Sequence, residues 1–113
     1  MCSESRIKDV LSEVLKCSKK LFAEKLVDVI LCGSYARGDN TAESDIDIVI
    51  LAHIDSVQIC DYLYKLREGI YKLEIEKECV ISLCIVPYDS FVQKKDVLPF
   101  YRNIEKEGIR FAG

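Results

Sequence analysis

The nineteen residues GSYARGDNTAESDIDIVIL, Gly33 to Leu51, constrain this chain more than any other stretch. Two aspartates one residue apart, Asp45 and Asp47, lead straight into the apolar run Ile48–Leu51. Strand side chains alternate between faces, so Asp45 and Asp47 share a face while Ile46 and Ile48 take the other. A strand apolar on both faces beyond that point is the mark of a central strand, and carboxylates at its mouth are costly unless a counter-charge meets them. Strand rise sets the two Cα atoms about 6.5–7 Å apart, close enough for both carboxylates to bind one divalent ion or bridge two. Mg²⁺ suits such a pair because it takes hard oxygen ligands and completes its shell with water and phosphate oxygens. Two such ions about 3.5–4 Å apart can activate an attacking hydroxyl and stabilise the leaving oxygen of a phosphoryl displacement.

The start of the stretch supplies the other half of a site. Leu26–Cys32 (LVDVILC) predicts a buried strand that Gly33 closes, followed by one helical turn or tight loop over Ser34–Gly38. Backbone N–H groups at such a turn converge on an anion, the glycine admits a phosphate closely, and the Ser34 hydroxyl adds a donor. The spacing and lysine of a Walker P-loop are absent. Arg37 either contacts phosphate or pairs with Asp39 or Asp45 and braces the loop, with bracing preferred; Ser44 bonds the loop backbone. A glycine-serine turn alone, or SDID alone, equally describes a solvated loop entering a strand. Both in order, with strand and turn before and strand after, point to a phosphate site.

The remaining pattern places this site in an α/β chain. Ile7, Val10, Leu11, Val14, Leu15 and Leu21 repeat at helical spacing and predict a helix over about Arg6–Glu24. The second strand is predicted over Asp45–Leu51. Asp55 and Ser56 cap a helix running to about Leu73, with Cys60 on its inner face and Gly69 as a candidate kink. Cys79–Val86 (CVISLCIV) predicts a third strand stopped by Pro87, then a short turn near Ser90–Lys94. A helix over Pro99–Glu107, with proline at its start and Gly108 past its end, and a short edge strand at Ile109–Phe111 complete the order.

Length and composition bound the function. At 113 residues the expectation is one domain, residues 1–113. A net charge of -3 with no basic run argues against stable sequence-independent nucleic-acid binding, though metal ions can carry the positive charge for a nucleotide. Nothing approaches the roughly 18 apolar residues of a membrane span, and Met1–Arg6 opens on no apolar leader, so a cytoplasmic protein without membrane contact is expected. Six cysteines without a CxxC pair, and with His53 the one histidine, fit buried free thiols better than disulfides or zinc; Cys17, Cys32, Cys60 and Cys84 fall at apolar-periodic positions. His53 at a strand exit, the Glu74–Glu78 run and Tyr62, Tyr64, Tyr71, Phe100 and Tyr101 read most simply as structural, solvated and core groups.

GSYARGDNTAESDID, from Gly33 to Asp47, resembles the nucleotidyltransferase superfamily typified by DNA polymerase beta, and within it the minimal nucleotidyltransferases. The family pattern is a glycine-serine, roughly ten residues, then two aspartates separated by a hydrophobic residue. The resemblance implies a short mixed sheet covered by helices, and transfer of AMP from ATP with Mg²⁺ and release of pyrophosphate. It implies that Gly33 and Ser34 hold the triphosphate and that Asp45 and Asp47 are the catalytic metal ligands. It further implies a partner, a HEPN-domain toxin adenylylated on tyrosine, with this chain as the antitoxin. The third carboxylate the family places on a later strand is missing from CVISLCIV, where Ser82 or Cys84 takes the place; Glu76, Glu78 and Asp89 are the candidates for a shifted acid. Two alternatives therefore stand beside the enzyme: a weakened nucleotide-binding antitoxin that acts by complex formation, and an aminoglycoside-type enzyme in which a homo-oligomer supplies the acceptor walls.

Overall fold

A computed structural model describes residues 4–41 and 45–111. Its elements are α1 (Glu4–Phe22), β1 (Leu26–Cys32), α2 (Gly33–Arg37), β2 (Ile46–Ala52), α3 (Ile59–Lys77), β3 (Ile81–Pro87), α4 (Tyr88–Lys94), α5 (Pro99–Glu107) and β4 (Ile109–Arg110). The sheet order is β3-β2-β1-β4. β1 runs antiparallel to β2 and to β4, whereas β3 runs parallel to β2. This is the expected mixed sheet with helices.

The two faces of the sheet carry separate cores. Ile46, Ile48 and Ile50 of β2 turn toward α1 and α3, packing with Val10, Val14, Leu66 and Ile70. Val49 and Leu51 turn the other way, onto Phe91 of α4 and Ile104 of α5. The period-2 alternation of β2 therefore puts Asp47, between Ile46 and Ile48, on the α4–α5 side.

Several element ends differ from the sequence expectation for local reasons. α1 stops at Phe22 because Ala23 takes φ 51 and opens a 3₁₀ turn over Ala23–Lys25, where the apolar period alone suggested helix to Glu24. Asp55 and Gln58 form a reciprocal capping box ahead of α3. α3 then runs past Leu73 to Lys77 and ends on Glu78 in left-handed conformation, φ 50, without the glycine that normally announces such an end. Glu74 is not part of a solvated face. Its carboxylate accepts the Ile81 N–H at 3.0 Å and pairs with Arg67 at 3.0 Å, pinning α3 to the start of β3. Pro87 belongs to β3 instead of stopping it. The Ile46 N–H donates to the Val80 carbonyl, so in a parallel ladder the even positions of β3 face β2 and the missing N–H of Pro87 faces outward. A full helix, α4, replaces the expected short turn. Of the cysteines expected to be buried, Cys60 is exposed, and Cys17, Cys32 and Cys84 are half-buried.

α3 is unbroken at Gly69, whose Cα faces Cys17 of α1; an added Cβ would sit 3.7 Å from the Cys17 sulfur, an ordinary contact. Gly69→Ala is expected to raise unfolding free energy by about 0.5–1 kcal/mol, seen as a higher urea midpoint at unchanged slope. No helix among the described residues is long and apolar enough to cross a membrane.

Candidate functional site

Asp47 is half-buried and its neighbours are set by strand register: Cys32 at the end of β1 on one side, Ser82 in β3 on the other. β1 ends where Gly33 leaves the sheet at φ +69, a left-handed conformation in which glycine carries no Cβ penalty. That turn lies directly against the acid. A Cβ built on Gly33 would overlap Oδ2 of Asp47 and lie 3.1 Å from its Cγ. Gly33 is thus required twice, by its dihedral and by its neighbour. α2 is one and a half turns of helix closed by Gly38 at φ +82, with the Gly38 and Asp39 N–H groups both donating to the Ser34 carbonyl at 2.9 and 3.1 Å.

Asp45 lies one residue before β2 and is exposed, so the strand begins at Ile46 and not at Asp45 as the sequence suggested. It is nonetheless close enough to act on Asp47. Burial first, then the Asp45 charge, push the Asp47 carboxyl above the usual carboxylate range, and Arg37 partly offsets them. Arg37 is braced: Nε donates to Oδ2 of Asp39 at 3.2 Å, and a second guanidinium nitrogen lies 3.6 Å from Oε2 of Glu107. Asp39 is one of the two partners expected from sequence, Asp45 being the other; Glu107 is not among them. Ser44 lies outside the described residues.

Gly33, Arg37, Asp47 and Glu107 open onto a cleft of about 330 Å³ between the sheet and α5. Asp47, Ser82 and Cys84 lie on its floor, while Phe100, Asn103 and Glu107 form the far wall. Ser82 and Cys84 of β3 do line the cleft that holds Asp47. The shifted acids do not: Glu76 is exposed on α3 and pairs with Lys72 at 4.0 Å, Glu78 is the exposed residue ending α3, and Asp89 sits with His53 and Asp55 in a separate shallow hollow. His53 is exposed and packs edge-on against Tyr88 at 5.1 Å, away from Asp47. The second carboxylate of the cleft is Glu107. Nothing in the sequence near the aspartates signals it, because α5 reaches the cleft through long-range packing on β1, β2 and α2. Among the described residues, no group of three or more His, Cys, Asp or Glu side chains could hold a metal ion. Asp45 and Asp47 are two carboxylates, so a cation held there would need further ligands from water or substrate.

The cleft thiols are electrostatically muted. Burial, followed by Asp47, Cys84 and Glu107, pushes Cys32 up to about 11, and burial raises Cys84. Both stay protonated at neutral pH, and the thiolate is the reactive form. Iodoacetamide at pH 8 is expected to alkylate the exposed Cys60 first and Cys32 slowly. Asp47→Asn should accelerate labelling of Cys32, read by peptide mass, because it removes a neighbouring negative charge.

Comparison with known proteins bears on the family and the fold. Residues 11–111 match the model of the family described as nucleotidyltransferase domain. A relative from Methanocaldococcus jannaschii, named as protein adenylyltransferase MJ0604, is 35% identical over 98 residues, spanning 87% of this chain and 90% of that protein. Among solved structures, a toxin–antitoxin structure with AMP-PNP is similar at a TM-score of 0.53 and 20% identity, covering 88% of this chain and 69% of that one. A nucleotidyltransferase from Sulfolobus solfataricus gives a TM-score of 0.51 at 22% identity, over 96% of this chain and 87% of that one. At these identities the structural likeness speaks for the fold.

Proposed function

This chain belongs to the nucleotidyltransferase domain family, and from that membership we propose that it transfers AMP from ATP, with Mg²⁺, to a hydroxyl of a partner protein. The partner in this reading is a HEPN-domain toxin, the acceptor a tyrosine, and the outcome neutralisation of the toxin. The observation that carries the reading is the contact between the Gly33 turn and the Asp47 carboxylate, which brings a phosphate-cradling bend and an acid to one point. Similarity to a protein named as an adenylyltransferase supports AMP as the group transferred and a protein as acceptor. Similarity in fold to a toxin–antitoxin structure with AMP-PNP supports the partner class.

Asp45 and Asp47 fit a divalent cation. They are hard oxygen donors whose mutual repulsion is only partly offset by Arg37, and the charged cleft-lining residues are Arg37 against Asp47 and Glu107. A triphosphate entering such a cleft needs more positive charge than Arg37 alone provides among the described lining residues. The bound ion would supply Lewis-acid activation of the acceptor hydroxyl and charge neutralisation on the departing pyrophosphate. Gly33 and Ser34 hold the phosphates through backbone and hydroxyl donors, Ser44 supports the loop, and Arg37 exchanges a carboxylate for a phosphate oxygen. The acceptor oxygen then forms a bond to the α-phosphorus as the bond to the bridging oxygen breaks, pyrophosphate departs, and the acceptor proton passes to solvent. β3 offers Ser82 beside Asp47 where a carboxylate would take the proton, and losing general-base help typically slows transfer by about 10²- to 10⁴-fold. In this reading the activity is cytoplasmic.

Incubation with ATP, Mg²⁺ and the product of the neighbouring gene, followed by intact-mass measurement, tests the proposal. One AMP adduct on the partner is expected; its absence, with folded protein and bound nucleotide, overturns the reading. Ser82 beside Asp47 also favours a second reading, in which the chain binds nucleotide and neutralises its partner by complex formation. That reading holds if Asp45→Ala and Asp47→Ala variants still protect cells from the toxin, and fails if protection disappears while the complex persists.

A further inference from the structure

The far wall of the cleft is one face of α5, where Phe100, Asn103 and Glu107 recur at helical spacing. Its polarity is fixed at one end. Glu107 lies 3.6 Å from Arg37, so the C-terminal end of α5 stands beside the Gly33 turn, where the phosphates are placed. A rise of about 1.5 Å per residue carries Asn103 roughly 6 Å and Phe100 roughly 10.5 Å from that end along the same wall. This is the direction and order of distance from a nucleotide's phosphates to its base. Phe100 is 50% exposed, a ring presented to the cleft and not committed to the core. Asn103 is exposed, and its side chain makes no hydrogen bond among the described residues. An aromatic face and a free carboxamide are what base recognition uses, stacking for affinity and bidentate pairing for identity.

We propose that α5 is the nucleobase reader of this cleft: the Phe100 ring stacks on the base, and the Asn103 carboxamide pairs with the edge of adenine. The proposal rests on the nucleotidyltransferase reading and adds substrate selectivity to it. A carboxamide offers a donor and an acceptor together, matching the adjacent N6 donor and N7 acceptor of adenine, whereas guanine presents two acceptors there. ATP is therefore favoured over GTP by Asn103, and Phe100 contributes to both.

Calorimetric titration in Mg²⁺ with three probes, ATP, GTP and inorganic tripolyphosphate, tests this. Phe100→Ala is expected to weaken ATP binding about 5- to 100-fold with tripolyphosphate affinity unchanged. Phe100→Leu, which keeps apolar bulk at this half-exposed position, should lose as much as the alanine variant. Asn103→Ala should narrow the ATP-over-GTP preference by about 5-fold or more. ATP affinity and preference unchanged in all three variants would overturn the assignment. So would a loss shared equally by tripolyphosphate, which would mean the phosphate end had been disturbed. Wild-type protein that binds neither ATP nor tripolyphosphate would instead bring down the transferase reading itself, and this inference with it.

Discussion

Asp47→Asn is expected to reduce AMP transfer by roughly 10³-fold or more, the scale of several kcal/mol of lost transition-state charge stabilisation, while leaving the protein folded. The amide keeps the shape that fits beneath the Gly33 turn but cannot balance a divalent cation. The same change is expected to stabilise the nucleotide-free protein at neutral pH. Burial and Asp45 raise the folded-state carboxyl above its ordinary value of 3.8, so the ionised form costs stability. That cost is absent below the unfolded value, grows as pH rises through the raised folded value, and is constant above it. Asparagine removes it, a gain below about 1 kcal/mol once solvent screening at a partly exposed site is counted. The expected pattern is a higher Tm than wild type at pH 7, convergence of the two near pH 3, and almost no transfer. Equal Tm at both pH values would mean that Asp47 is not under the electrostatic pressure the cleft geometry requires.

Gly33→Ala is expected to be nearly as damaging, by sterics. The added Cβ meets the Asp47 carboxylate, and the residue must hold φ +69, where an L side chain costs about 1–2 kcal/mol. The turn and the acid must then separate. Transfer should fall about 10²-fold or more, because a 1 Å misplacement of reacting groups is enough for that, and stability should fall by about 1–3 kcal/mol. Gly38→Ala is the internal control. Gly38 also has positive φ, +82, but nothing lies within 4 Å of its would-be Cβ. It should lose about 1 kcal/mol of stability by denaturant titration and keep most of its transfer activity. Equal loss of activity in the two variants would show that backbone strain, and not contact with Asp47, makes Gly33 necessary.

What could be read from the residues was whatever is local. β1 and α5 fall where their composition and end signals put them, Leu26–Cys32 closed by Gly33 and Pro99–Glu107 stopped by Gly108. The two aspartates and the glycine-serine turn were legible because they are adjacent in sequence and joined by one short connection. What stayed hidden was set by distant partners. Asp28 sits fully buried inside β1, a position at which an acid contradicts strand composition, and it is met by Arg110 of β4 at 3.4 Å. Glu107 enters the cleft by helix packing, and α3 ends on a non-glycine left-handed residue that gives no sequence mark. Cys60 follows the apolar period of α3 yet faces solvent, since the helix buries a narrower stripe, Leu66, Ile70 and Leu73, than the period implied.

The most direct test of the account is a crystal structure of this chain grown with Mn²⁺ and a non-hydrolysable ATP analogue, with anomalous scattering used to locate the metal. Metal density between the Asp45 and Asp47 carboxylates, with the triphosphate seated on the Gly33–Ser34 turn, is the predicted result. Metal density away from both aspartates, or a triphosphate out of reach of that turn, would contradict it.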